Sequence, residues 1–453
     1  MASKGDEIFT PEDAQSEVEL QKSPPRNVVW NPTTRMRIEL TIPPTVYPPR
    51  EDTELMAKRL IQLGAGKGRK FLEIGCGSGA LSILAASLGW NVHACDINPF
   101  AVAATRGNME KNLQSGIVRE GGIGPDDFPF DGKFDLIIWN LPYIPAEEVN
   151  ELLGPMEEAG LIDTDEQGLH RRFMSLVLKN DMLATKGRML LLGRAGSVEG
   201  TENFAAREWD TLKFDDGENL AIFCLWKPYE TAEKIFVQRT GSTNDDLFQK
   251  SGIGTHLSTP LQTSGKGRRD RKWISVDESY AGSWIVAEDT EVHPGLLQLS
   301  GGLAVINTIK NDQLKLKWPN DILIDNRKLC GVLVEGKSSH ESTKVVLGIG
   351  INLEASTKII NGKEISTLCE VREFNFHQLD QMLNSELASL IEEGNDLPPV
   401  NFHSIKKEIL GQMKLLGRPK YEQVIYENFD LNDSGELILG DHIIDDGEDI
   451  EWV

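Results

Sequence analysis

Apolar positions fall into two rhythms along the chain. In the first, short apolar runs alternate with longer segments of helical period. Arg69–Ile74, Asn91–Asp96, Phe134–Asn140 and Arg188–Leu192 read as strands. Asp52–Leu63, Ser78–Leu88, Pro99–Asn112 and Leu169–Leu183 read as helices, the third with proline at its first turn. Thr211–Phe214 and Leu220–Trp226, joined through Asp215-Asp216-Gly217, read as a closing hairpin. This alternation predicts an α/β, Rossmann-like sheet of mostly parallel strands covered on both faces. After Lys227–Glu233 the rhythm changes to shorter strands, among them Leu329–Glu335 and Val345–Leu353, with helices over Leu296–Lys310 and Phe376–Glu392. That pattern predicts an α+β domain built on a mixed sheet. Beyond Gly411, the β-prone runs Tyr421–Ile425 and Leu437–Leu439 predict a small β-barrel. The expected domains are an acidic arm at 1–27, then 28–230, 234–410 and 411–453.

Composition narrows the function. A chain of 453 residues is long for one core, and two or three domains are expected. The net charge of −23 argues against a nucleic-acid partner, since a phosphate backbone would be repelled at every contact. No apolar run approaches the roughly 20 residues of a membrane helix. The acidic start resembles neither a signal nor a transit peptide. Five cysteines are scattered without a CxxC pair, which fits a reducing cytoplasm. His93, His170, His293 and His340 lack metal-ligand spacing.

Two places carry chemistry in the first half. Glu73-Ile74-Gly75-Cys76-Gly77-Ser78-Gly79 sets a glycine-rich turn between strand and helix, where backbone can approach a ligand closely. Asp96, ending the next strand, is placed to accept the two hydroxyls of a ribose. This skeleton alone suits a sulfonium nucleoside or a dinucleotide equally. Asn140-Leu141-Pro142-Tyr143 separates them. An amide nitrogen is a poor nucleophile and must be held in orientation. The Asn140 oxygen and the Leu141 carbonyl would accept its two protons, with Tyr143 stacked on its plane. A plain strand-ending turn is the alternative.

With Tyr47-Pro48-Pro49-Arg50-Glu51-Asp52-Thr53 and Asp96-Ile97-Asn98-Pro99, these motifs resemble the HemK-type protein glutamine N5-methyltransferases over about Val46–Leu192. The resemblance implies a class I methyltransferase using S-adenosylmethionine. It assigns Glu73, Gly75, Gly77, Gly79, Asp96 and Asn140 to the cofactor, and Asn140, Pro142 and Tyr143 to the substrate amide, with Asn140 catalytic. The family's usual target is a translation release factor. Leu141 stands where the family carries proline, which predicts a less rigid turn and leaves a second reading, an inactive scaffold that binds cofactor or protein.

The second half holds five separated motifs. Thr240-Gly241-Ser242-Thr243-Asn244 offers small hydroxyl and amide groups after a strand. Gln262 opens a glycine-rich loop running to Trp273, with five cations in the seven residues 266–272. In so acidic a chain, that cluster suits closure over phosphate, although bare charge runs are usually solvated. Lys317-Trp318-Pro319-Asn320-Asp321, Arg327-Lys328-Leu329-Cys330-Gly331 and Gly348-Ile349-Gly350-Ile351-Asn352 complete the set. A carboxylate attacking the α-phosphorus of ATP brings two anions together, and a cation between them, Lys328, would stabilise the transition state. Asp321 would hold Mg²⁺.

These motifs resemble biotin–protein ligases in order and spacing throughout Ile235–Leu353. The resemblance implies biotin and ATP condensing to biotinyl-AMP, then transfer to a lysine of a biotin carboxyl carrier domain, with homodimerisation. It assigns Ser242, Thr243, Asn244, Gln262, Gly265, Gly267, Arg268, Arg269, Arg271, Trp273, Asn320, Lys328, Gly331 and Asn352 to biotin or biotinyl-AMP, with Trp273 against adenine. Lys328, Arg268 and Asp321 are the catalytic candidates. Lys266 and Asp270 depart from the family's usual Arg and Gly, and Asp270 would loosen retention of the adenylate. The terminal barrel would be SH3-like, with the acidic stretch Asp445–Glu451 a solvated edge. No helix-turn-helix precedes residue 235, which argues against a repressor.

Overall fold

The computed structural model describes the chain except residues 1–22, 125–127, 143, 146–161, 164–167, 215–216, 218, 270, 291, 339–342 and 361. It parts near Lys227 into two compact units, with Gly200–Ala205 assigned to the second and Asp396–Pro398 to the first.

The first unit opens with a hairpin that the pattern analysis did not anticipate, β1 (Arg26–Thr33) and β2 (Met36–Ile42). The residues given to the acidic arm therefore include the start of β1. In β2, Ile38, Leu40 and Ile42 alternate inward and are buried. Helix α1 (Glu51–Leu63) follows, then β3 (Lys70–Ile74), α2 (Ala80–Ser87), β4 (Asn91–Asp96), α3 (Pro99–Lys111), β5 (Gly116–Glu120) and β6 (Phe134–Asn140). A short pair, β7 (Ile144–Pro145) and β8 (Ile162–Asp163), precedes α4 (Leu169–Lys179), β9 (Leu183–Arg194), β10 (Ala205–Lys213) and β11 (Asn219–Trp226). Helix α4 stops four residues earlier than its apolar period suggested. Asp181 takes φ 46°, a left-handed conformation that ends the helix before Leu183 enters β9.

The main sheet has the order β10-β11-β9-β6-β3-β4-β5. Its five strands from β9 to β5 run parallel, and β11 is antiparallel to β9. Strand order reverses between β3 and β6, so a crevice opens at their carboxyl ends. The α/β expectation holds, and it places both nominated motifs at this switch point.

The second unit is the expected mixed α+β arrangement. Its sheet, in the order β12-β13-β14-β18-β17-β16-β15, comprises β12 (Lys234–Phe236), β13 (His256–Thr259), β14 (Glu278–Glu288), β15 (Leu314–Lys317), β16 (Asp321–Ile324), β17 (Arg327–Ser338) and β18 (Thr343–Glu354). Only β12 and β13 are parallel; the other neighbours are antiparallel. A one-turn helix, α5 (Thr243–Leu247), precedes β13. Helix α6 (Pro294–Ile309) lies against the sheet and is buried almost throughout. Gly301 permits that approach, because a Cβ there would stand 2.9 Å from Val332 Cγ1. Helix α7 (Phe376–Ile391) packs on α6.

Gly411 lies inside α8 (Phe402–Lys414), so the terminal strands begin beyond it, at Pro419. Those strands are two or three residues long and form two separate three-stranded sheets. Among the described residues these two small sheets stay separate.

Candidate functional sites

At the switch point of the first unit, Gly75, Gly77 and Gly79 take φ of 68°, 51° and 80°, a turn that side chains would strain. It is tied to Asp96: Gly77 N donates to Oδ2 at 2.9 Å, and Asn98 N to Oδ1 at 2.9 Å. Burial pushes the Asp96 carboxyl up, against the lowering pull of these two donors. Glu73 does not face open space. It is buried and accepts from Ser82 Oγ on α2, and burial lifts its carboxyl to about 8.

Asn140 ends β6 with its amide fixed by a residue not assigned a role from sequence. Its Nδ2 donates to Asp52 Oδ2 at 2.7 Å, and Asp52 is itself buried at the start of α1. That bond leaves Asn140 Oδ1 buried, with no hydrogen-bond partner among the described residues. Leu141 is buried and its N–H donates to Leu192 O at 2.9 Å, extending the β6–β9 ladder by a bond proline cannot make. Pro142 is buried beside it, and Tyr143 lies outside the described residues.

In the second unit, one pocket gathers Ser242, Thr243, Asn244, Gln262, Lys266, Gly267, Trp273, Asn320, Lys328, Gly331, Gly348 and Gly350. Ser242 caps α5, so Thr243 and Asn244 sit in its first turn. Gln262 Oε1 accepts from Thr243 N at 2.8 Å, while Asn244 Nδ2 donates to Glu335 Oε2 at 2.7 Å. Ser283 Oγ, from β14, lies 2.7 Å from Thr243 Oγ1 and 2.6 Å from Asn244 Oδ1. The floor is a pair of facing glycines, Gly331 and Gly350, in register on β17 and β18. The indole of Trp273 lies over them, and a Cβ on Gly350 would stand 2.7 Å from its Cε2. Trp273 Nε1 is buried and unbonded among the described residues.

Lys328 Nζ enters beside this floor, 2.6 Å from Asp321 Oδ1 and 5.5 Å from the Trp273 ring centre. Asn352 does not line the pocket. It donates to the carbonyls of Lys328 and Ser366, each at 3.2 Å, bracing the lysine's backbone from behind. Asp321, the residue nominated for Mg²⁺, is paired with the lysine, and no group of three His, Cys, Asp or Glu converges among the described residues.

The basic loop is a hairpin closed by a bridge between Lys266 and Lys272, with Gly267 N donating to Arg271 O at 2.7 Å and Trp273 N to Gly265 O at 2.9 Å. Lys266 pairs with Asp245 at 2.7 Å. Arg268, Arg269 and Arg271 turn to the terminal segment instead of lining the pocket. Arg268 Nη2 donates to Asp445 O at 3.2 Å, Arg269 pairs with Asp446, and Arg271 Nη1 lies 2.8 Å from Glu448 Oε1. The acidic stretch is thus a partner of the loop, not a solvated edge. Asp270 lies outside the described residues.

Comparison with known proteins follows the same division. Residues 238–352 match the biotin/lipoate A/B protein ligase family, and residues 51–159 match ribosomal protein L11 methyltransferase (PrmA). The carboxy-terminal half carries a biotin/lipoate ligase-family domain, and the amino-terminal half a PrmA-type methyltransferase domain. Among relatives of the ligase-family domain, the biotin–[acetyl-CoA-carboxylase] ligase of Mycobacterium tuberculosis is 28% identical over 221 residues, 45% of this chain and 81% of that protein. The bifunctional ligase/repressor BirA of Escherichia coli is 33% identical over 122 residues, 25% of this chain and 38% of BirA. A putative protein N5-glutamine methyltransferase of Methanocaldococcus jannaschii is 37% identical over 112 residues, 24% of this chain and 54% of that protein. The chain therefore spans about half the length of its methyltransferase relative. A biotin protein ligase from Aquifex aeolicus, solved with biotin and ATP, aligns at 25% identity and TM-score 0.37, covering 49% of this chain and 95% of that one.

Sequence reasoning missed Asp52, Ser283 and Glu335, which hold nominated residues from other strands or helices. Asp52 lay inside a quoted motif, but nothing local marked its reach to Asn140.

Proposed function

We propose that the second unit activates biotin on ATP and passes it to a lysine of a carrier domain, and that the first unit methylates a protein side-chain amide. The observation that carries the ligase reading is Lys328 Nζ beside a floor of two opposed glycines under Trp273. The biotin carboxylate oxygen attacks the α-phosphorus, a P–O bond forms, and pyrophosphate leaves. Lys328 stands to neutralise charge where the two anions meet, released from Asp321 as they arrive. The polar wall of Ser242, Thr243, Asn244 and Gln262 suits the ureido ring of biotin. In the second step a lysine amine attacks the acyl carbon and AMP departs. The name of the mycobacterial relative, a biotin–[acetyl-CoA-carboxylase] ligase, supports this chemistry, with the biotin carboxyl carrier domain of a carboxylase the proposed partner. Homodimerisation belongs to the same reading. The test is biotin-dependent pyrophosphate release from ATP, followed by transfer of biotin to a carrier domain. No release at saturating reactants ends the reading.

In the first unit, Asp96 suits the ribose of S-adenosylmethionine and the glycine turn its backbone contacts. The unbonded Asn140 Oδ1 supports amide methylation, since an acceptor held in one orientation is what the acceptor nitrogen needs. The cofactor supplies the electrophilic methyl group. The archaeal relative's name supports glutamine N5 as the acceptor, with a release factor the proposed protein. Methyl transfer to a Gly-Gly-Gln peptide tests it.

A further inference from the structure

Side chains alternate across β14, so Tyr280, Gly282 and Trp284 look toward α7 while Ser283 looks the other way, toward Thr243 and Asn244. On the helix side lies a buried cluster that the ligase reading does not use. His256, paired with Trp284 from β13, is 2% exposed and stacks on that indole with ring centres 4.2 Å apart. Its Nε2 meets Asp380 Oδ1 at 2.7 Å, and Tyr280 Oη donates to the same oxygen at 2.8 Å. Gly282 makes room for that phenol, because a Cβ there would overlap Tyr280 Oη. Burial works to raise the Asp380 carboxyl, yet His256 and the hydroxyls of Tyr280 and Ser258 hold it below its ordinary value. One turn further along α7, Asn384 Oδ1 accepts from Trp284 Nε1 at 2.9 Å, so the helix grips the strands at two points.

The other ring nitrogen points toward the pocket side. A carbonyl only accepts, so His256 Nδ1 donates to Ser283 O at 2.8 Å. Across the sheet, the Oγ of the same serine lies 2.6 Å from Asn244 Oδ1, also a pure acceptor, and so donates to it. That bond turns the Asn244 amide nitrogen to Glu335. The Ser283 peptide has few side chains of its own to steady it: Gly282 precedes it and Gly348 stands opposite on β18. The imidazole is its brace.

We propose that His256 is a positioning residue for the polar wall of the pocket: held by Asp380 on the helix side, it fixes through the Ser283 peptide the hydroxyl that orients Thr243 and Asn244. That these two meet the ureido ring of biotin rests on the adenylation reading. The brace itself does not.

Asparagine carries its amide nitrogen as many bonds from Cβ as the imidazole Nδ1, and glutamine as many as Nε2. His256→Asn therefore keeps the donor to Ser283 and loses the bond to Asp380, and His256→Gln does the reverse. Both lose the ring stacked on Trp284, so a plain packing defect impairs both alike. Biotin binding to the full chain is read by calorimetry, beside thermal melts. His256→Gln weakens biotin about 3- to 10-fold, the usual contribution of one hydrogen bond, and His256→Asn stays within about twofold of native. Ser283→Ala, which leaves the imidazole in place, weakens biotin to a similar degree. Equal losses in the two His256 variants, a loss in His256→Asn alone, or native affinity in His256→Gln or Ser283→Ala overturns the positioning role. A native chain that binds no biotin overturns the ligand reading instead. Amide hydrogen exchange over Thr243–Leu247 in the ligand-free chain then decides the brace. Faster exchange in His256→Gln than in His256→Asn upholds it, and equal rates overturn it.

Discussion

Gly350 is an exacting position in the ligase-family pocket, because an added side chain there meets an aromatic ring. No left-handed φ is required there, so alanine meets no backbone strain and any cost is steric. The added Cβ would stand 2.7, 2.9 and 3.2 Å from three indole carbons of Trp273. Carbon atoms prefer separations of about 3.5–4.0 Å, so the indole must retreat by roughly 1 Å. Overpacking of this size costs about 1–3 kcal/mol. At about 1.4 kcal/mol per tenfold, Gly350→Ala should weaken whichever substrate the indole contacts by a factor of about 5 to 150. The assay is biotin-dependent pyrophosphate release, with KM read separately for biotin and ATP, beside a thermal melt to confirm folding. Because the conflict is with one side chain, Trp273→Leu in the Gly350→Ala background should recover part of the loss, a coupling that a double-mutant cycle isolates. Native KM values for both substrates in Gly350→Ala would refute the placement of Trp273 over the pocket floor.

Three further outcomes are expected. Lys328→Met lowers the turnover of adenylation on the order of 10²- to 10³-fold, the usual loss when one charge-stabilising group is removed; single-turnover measurement at saturating biotin and ATP checks it. Asp52→Ala frees the Asn140 amide to rotate and lowers methyl transfer to a Gly-Gly-Gln peptide by up to about 10²-fold. Calorimetry should find S-adenosylmethionine binding retained in that variant; native transfer rates would show that Asn140 is oriented by something else. Glu73, lifted by burial from the ordinary 4.5 to about 8, favours the folded state in its neutral form. Its contribution is full below pH 4.5, fades as pH rises toward 8, and is absent above. Glu73→Gln therefore melts higher than the native chain at pH 9 and no higher at pH 4, in parallel thermal melts.

The βα rhythm was legible because each strand of the first sheet is a continuous apolar run between turn signals, and Asn91–Asp96 and Phe134–Asn140 kept the bounds read from sequence. Two elements were present in the pattern and passed over. Ile38, Leu40 and Ile42 alternate, and Ile405, Ile409 and Met413 recur every four residues behind the cap Asn401. Proline-rich flanks obscured the first, and a boundary drawn at the conspicuous Gly411 cut through the second. Much of the candidate pocket could be read because its residues come in short local motifs. What could not be read was what holds them. Glu335 reaches Asn244 across 91 positions, and Asp445 reaches Arg268 across 177. Sequence spacing carries no mark of such pairs. The same blindness made Asp445–Glu451 look like an ordinary acidic surface.

The hydrogen bond from Leu141 N to Leu192 O bears on how this chain should be engineered. Copying the residue most common among its kin is a usual route to sturdier variants. At position 141 that route runs backwards. Proline would remove that bond and strand a buried carbonyl on the neighbouring strand.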